Sequence, residues 1–156
     1  MQREQLEKIA TQVVDSIFEV HKELGPGLLE TAYEVALCRE FTFRGIQFER
    51  QKAVPVIYKG EALELGFRLD VLVEDQVVLE LKSVEKLAPM HEAQLINYLR
   101  LTGKPLGFLV NFNVPRIKIG IKRFANGLEN KGKRPRDFNL CSTFASFVYF
   151  VVNKTA

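Results

Sequence analysis

The amino-acid sequence predicts an α/β domain with a mixed central β-sheet flanked by helices. Three observations carry this reading. Two stretches near the start show helical hydrophobic spacing, the middle third alternates as strands do, and a further helical stretch separates those strands from a continuous apolar run. The order helix, helix, three strands, helix, strand, strand implies an antiparallel meander followed by a helical crossover to a partly parallel strand. With 156 residues, 47% of them hydrophobic and 26% charged, the chain fits one domain over 1–156 that buries a core without disulfides or structural metal.

Residues 3–24 place Leu6, Ile9, Val13, Ile17, Val20 and Leu24 at three- and four-residue steps, the stripe of an amphipathic helix, and Gly25-Pro26-Gly27 stops it. A second helix is expected from about 28 to 43, burying Leu29, Ala32, Tyr33, Ala36, Leu37 and Phe41, with Glu30 in the first turn where the helix dipole favours a carboxylate. Gly45 ends it. Strand-like runs follow around Ile46–Phe48 and Val54–Tyr58, and Lys59-Gly60 turns the chain. Pro89 opens a helix over about 90–101 with Leu95, Leu99 and Ile96 inward; Thr102-Gly103-Lys104-Pro105 closes it. Leu106–Val110 reads as a fully buried strand. After Pro115, Ile117, Ile119 and Ile121 alternate with Arg116, Lys118 and Lys122, the pattern of a strand with one wet, basic face.

Between the meander's first strand and the third helix lies the most informative stretch, Asp70 to Lys82. Two Val- and Leu-rich runs flank Glu74-Asp75-Gln76, as in a β-hairpin. Leu65, Phe67, Leu69, Val71 and Val73 are expected on one face of the first run, with Val77, Leu79 and Leu81 on one face of the second. A three-residue loop at 74–76 keeps both apolar sets on the same side of the sheet. Asp70 then faces Glu80, with Lys82 two positions along. Charges within apolar strands are costly unless paired, metal-bound or solvated. Asp70 and Glu80 suit a hard divalent cation, and Lys82 suits an attacking water or a phosphate charge. A plain Lys–Glu–Asp ion network on a solvated face explains the same residues.

Several classes are disfavoured. No apolar run is long enough to cross a bilayer, and the first residues lack a signal-peptide core. Cys38 and Cys141 cannot build a disulfide framework, which favours a reduced, cytoplasmic protein. No Cys/His spacing suggests zinc; His21 and His91 stand alone. The net charge of +3 hides an asymmetry: 114–136 carries eight basic residues and one acid, a net +7, leaving −4 elsewhere. Arg116, Lys118 and Lys122 on the late strand, and Lys131, Lys133, Arg134 and Arg136 on the loop beyond it, are candidate phosphate contacts. Lysines that guard a strand edge are the plainer explanation for the first group. The segment 125–156 is then a basic loop plus an apolar extension. Its run from Phe144 to Val152 is either a further packed strand or a homodimer surface.

The residues also carry a resemblance. Asp70 with Glu80-Leu81-Lys82 resembles the signature of the PD-(D/E)XK nuclease superfamily, and Gly27-Leu28-Leu29-Glu30-Thr31-Ala32-Tyr33 resembles that of its GxxExxY branch. Val20 to Gly27 is similar to the usual lead-in of that branch, and the likeness spans roughly residues 5–124. Leu69 stands where the superfamily name has Pro, a position that varies widely. The resemblance implies a restriction-endonuclease-like core and magnesium-dependent hydrolysis of nucleic acid, DNA before RNA, with manganese as a substitute metal. It makes Glu30 the helix-borne acid, Asp70 and Glu80 metal ligands with Glu30 beside them, and Lys82 the catalytic lysine. Gln94 and Tyr98, spaced i, i+4, resemble a Gln-x-x-x-Tyr element that supports such sites, and Tyr33 is a further supporting candidate. Tyr33 with a satisfied hydroxyl in the core, and a surface Gln94 beside a half-buried Tyr98, are the bland readings of those three. Ser83 and His91 have no motif behind them. The competing function is a non-catalytic nucleic-acid-binding or protein-interaction module on the same fold.

Overall fold

The computed structural model describes residues 3–127. Its elements are α1 (Arg3–Leu24), α2 (Glu30–Arg44), β1 (Phe48–Tyr58), β2 (Glu61–Val73), β3 (Val77–Lys82), α3 (Pro89–Thr102), β4 (Leu106–Asn111), α4 (Ile117–Gly120) and β5 (Ile121–Ala125). One five-stranded mixed sheet runs in the order β1-β2-β3-β4-β5. Neighbours are antiparallel except β3 and β4, which are parallel and joined through α3. The meander and helical crossover expected from the sequence are both present. The basic loop residues Lys131, Lys133, Arg134 and Arg136, Cys141 and the apolar run 144–152 lie outside the described residues.

Helices cover both faces. On one, Leu6, Val13 and Ile17 of α1 and Tyr33, Leu37 and Phe41 of α2 bury against Val71, Val73, Leu79, Leu81 and Val110. On the other, Leu95, Tyr98 and Leu99 of α3 pack on Leu69, Leu72, Val78 and Leu109. All six residues of β4 are buried, as a strand covered on both faces requires. A Cβ at Gly107 of β4 would come within 2.9 Å of Leu95, so glycine lets α3 lie close to the sheet.

Three expectations are corrected. Leu29 is 79% exposed, because α2 begins only at Glu30 and its inward face is Tyr33, Glu34, Leu37, Cys38 and Phe41. The stretch 117–120 is a helical turn, so the expected alternating strand begins only at Ile121. Gly120 presses on the Asn111 carbonyl, which a Cβ would approach to 2.2 Å, and the turn buries Ile117 while leaving Ile119 67% exposed. In β2 the face assignment fails below Val71. Val71 and Val73 bury against α1 and α2, but Leu69 joins the α3 side together with Phe67, and Leu65 is exposed. Side-chain alternation breaks at Asp70.

The loop between α1 and α2 is held by Tyr33. Its hydroxyl donates to the Gly25 carbonyl at 2.6 Å and accepts the Leu28 N–H at 3.1 Å, while its ring stacks on Phe112 at 4.4 Å. This accounts for the Gly27-x-x-Glu30-x-x-Tyr33 spacing: the tyrosine sets the loop from which Glu30 enters its helix. Tyr33→Phe strands one donor and one acceptor, so a loss of about 1–2 kcal/mol is expected. In thermal denaturation this is a fall of roughly 2–6 °C in Tm; an unchanged Tm removes Tyr33 from this role.

Candidate active site

The hairpin register pairs Val73 with Val77, Leu72 with Val78 and Val71 with Leu79. The three-residue loop read from the sequence is therefore present, with Glu74 and Asp75 both in the left-handed region. Continued one step, this register sets Asp70 level with Glu80. There the strands stop pairing through backbone. Asp70 Oδ2 instead accepts the Leu81 N–H at 2.8 Å, in place of a β2 carbonyl. The break in β2 alternation thus lets a carboxylate enter the seam between β2 and β3.

Glu80 is 2% exposed. Its Oε1 accepts a hydrogen bond from Lys82 Nζ at 2.6 Å, whereas Oε2 is buried with no hydrogen-bond partner. Glu30 reaches the same region from α2, because the Ser83 hydroxyl, just past β3, donates to the Leu28 carbonyl at 2.6 Å and ties the α2 entry loop to the strand end. Ser83 is therefore a positioning tether. The electrostatics agree that the four groups are near one another. Burial and then the neighbouring Glu80 push the Asp70 carboxyl up to about 7, with Glu30 adding to the rise. Burial likewise raises Glu80 against the pull of Lys82. Burial draws the Lys82 ammonium down, but its bond to Glu80 and the charges of Glu80, Glu30 and Asp70 outweigh this and leave it raised, firmly cationic.

Gln94 and Tyr98 come together on α3, with Gln94 Nε2 donating to the Tyr98 hydroxyl at 2.7 Å. The Tyr98 hydroxyl is raised by burial and then by the charges of Glu80 and Asp70, which places it at the border of the acidic cluster. Tyr33 is different: its hydroxyl bonds are to the loop backbone, so its support reaches the site only through Glu30. His91 Nδ1 accepts the Ala88 N–H at the start of α3, a capping role. Cys38 is buried and its thiol is pushed up to about 11, chiefly by burial, which leaves little thiolate for nucleophilic chemistry.

Among the described residues, no three carboxylate, imidazole or thiol side chains stand close enough to hold an ion by themselves. Magnesium needs fewer, one or two protein carboxylates completed by water and substrate oxygens. The orphaned Glu80 Oε2 beside the buried, charge-averse Asp70 fits such an ion. Burying acceptors without a positive partner is costly, and a hard cation supplies that partner.

The basic candidates divide. Arg116 and Lys118 are exposed and make no ion pair among the described residues. Lys122 is drawn into an ion pair with Glu92 of α3 and is not a free phosphate contact. Nothing in the sequence singled out Glu92 as its partner. Two further residues were missed. Glu34 is buried one turn beyond Glu30 and pairs with Arg50, and Gln51 donates to its other oxygen at 2.7 Å. The i, i+4 spacing from Glu30 was a usable signal for Glu34; Gln51 had none.

No helix among the described residues is long and apolar enough to cross a membrane. Comparison with curated proteins finds no match. Neither does comparison with solved structures. Among protein families, the PD-(D/E)XK nuclease superfamily matches residues 7–124, a span from α1 through β5 that contains Glu30, Asp70, Glu80 and Lys82. With three quarters of its length matched, and with the mixed sheet flanked by helices that this fold requires, the chain belongs to the PD-(D/E)XK nuclease superfamily.

Proposed function

We propose that this protein is a divalent-metal-dependent nuclease of the GxxExxY type, hydrolysing phosphodiester bonds in nucleic acid, with DNA as substrate. The observation that carries the reading is the buried, unpartnered Glu80 Oε2 beside an Asp70 carboxyl pushed up to about 7. Asp70 and Glu80 would hold magnesium, or manganese in its place, and Glu30 is the candidate third ligand. When bound, the ion supplies Lewis-acid stabilisation of charge developing on the phosphate.

The chain's own residues have separable tasks. Glu80 holds the Lys82 ammonium through Oε1, so the lysine faces the reacting phosphate as a fixed cation. From there it orients a water and neutralises the developing charge. Asp70, fastened by the Leu81 N–H, keeps its carboxylate in the seam and cannot swing to solvent. The Gln94–Tyr98 pair closes the α3 side and offers polar groups to substrate. Arg116 and Lys118, with Lys131, Lys133, Arg134 and Arg136, make salt-sensitive contacts to the phosphate backbone. A cytoplasmic location and homodimer formation through the apolar 144–152 run belong to the same reading and rest on composition alone.

The test is cleavage of linear, circular and single-stranded DNA and of RNA, with magnesium, with manganese and with EDTA. We expect metal-dependent cutting of DNA, including closed circles, that EDTA abolishes. Salt-sensitive binding without cutting, unchanged in Lys82→Ala, would make the protein a non-catalytic binding module instead.

A further inference from the structure

The kink that admits Asp70 to the site has a counterpart across the ladder. β1 and β2 pair as Arg50 with Val71 and Lys52 with Leu69, so Gln51 stands opposite Asp70. Gln51 has φ of 52°, a left-handed conformation that a non-glycine residue seldom adopts within a strand. Its neighbours show the result. Val71 buries against α1 and α2, Leu69 against α3, and the change of face falls at the Gln51–Asp70 step. Left-handed residues inside strands persist where surrounding contacts over-determine them. Here the contact is the buried Glu34 of α2, whose two oxygens take Arg50 Nε and Gln51 Nε2.

We infer that Glu34 is a positioning residue: by gripping Gln51 it holds the β1–β2 ladder in the kinked form, and so keeps the Asp70 carboxylate in the seam beside Glu80. This rests on the metal-site reading above. One helix then serves the site twice. Glu30 approaches the acidic cluster directly, and Glu34, one turn later, sets the strand that carries Asp70. Alternation without the kink would return Asp70 to a face of the sheet, away from the Leu81 N–H.

Glycine adopts the left-handed region without a Cβ penalty, so it supplies a test that a generic packing role would not meet. The full chain is titrated with Mn2+, following bound metal by electron paramagnetic resonance, and melted without metal in parallel. Glu34→Ala is expected to weaken Mn2+ binding about tenfold, the usual size of an outer-shell loss. Glu34→Ala/Gln51→Gly is expected to recover most of that loss, because the kink no longer needs its tether. Should Glu34→Ala fail to fold, Glu34→Gln with and without Gln51→Gly answers the same question. Wild-type affinity in the Glu34 variant, or a loss that Gln51→Gly leaves unrestored, overturns the positioning role. A wild-type protein that binds no Mn2+ overturns the metal-site reading itself and this role with it, and that outcome is visible before any Glu34 variant is made.

Discussion

Metal-free Asp70→Asn is expected to melt higher than the wild type at pH 8 and to lose DNA cleavage altogether. The stability gain follows from the direction of the Asp70 shift. In the folded protein burial and Glu80 push this carboxyl up to about 7, from an ordinary 3.8. Between those values the folded chain holds a proton that the unfolded chain has released. Asp70 therefore favours folding most at low pH, and that contribution is lost as the pH rises through about 7. Three pKa units set a ceiling of about 4 kcal/mol on the cost of an ionised Asp70 at pH 8. Asparagine remains neutral and keeps an acceptor for the Leu81 N–H, so much of that cost is relieved. A rise of about 5 °C at pH 8 is expected, shrinking toward zero near pH 4, where the wild-type carboxyl is itself protonated. Magnesium should raise the wild-type Tm at pH 8 and leave the variant unmoved. If Asp70→Asn melts at or below the wild type in EDTA at pH 8, the buried-acid account of this position is wrong.

Lys82→Ala is expected to reduce cleavage by roughly a thousandfold, on the order of 4 kcal/mol of transition-state stabilisation. The same substitution strips Glu80 of its cationic partner while the carboxylate stays buried. Breaking a buried pair in this way costs about 3–5 kcal/mol, which for a chain of this size is a fall of about 10 °C in the metal-free Tm. The two effects separate on adding manganese. A bound cation takes over charge compensation at Glu80, so Mn2+ should restore the melting temperature of Lys82→Ala without restoring cleavage. It should bind at least as tightly as to the wild type, because no ammonium competes for Oε1. Restoration of cutting by the metal alone would limit Lys82 to a structural counterion.

Much of this site was legible in the chain because it depends on short-range arithmetic. A three-residue turn and a two-residue period suffice to set Asp70 against Glu80 with Lys82 alongside, and the ladder pairs agree up to Val71 with Leu79. The Gly27-x-x-Glu30-x-x-Tyr33 spacing likewise reads directly, although the purpose of its tyrosine, a clamp on the Gly25 and Leu28 backbone, needed coordinates. Less legible were features set by partners distant in sequence. Lys122 read as a free cation until Glu92, thirty residues earlier, proved to be its partner. The isoleucines of 117–121 alternate as a strand does, yet contact between Gly120 and the Asn111 carbonyl winds the first four residues into a turn.

The amino-acid sequence by itself determined the element order, the crossover and the juxtaposition of two acids with a lysine, since hydrophobic period and turn length act locally. Only the tertiary structure decided how Asp70 departs from its strand. That departure depends on a left-handed Gln51 in the neighbouring strand and on Glu34 in a helix, a glutamine and a glutamate whose residue types do not announce the role. Alternation specifies a face only while the backbone stays regular, and at Asp70 long-range hydrogen bonds outweigh it.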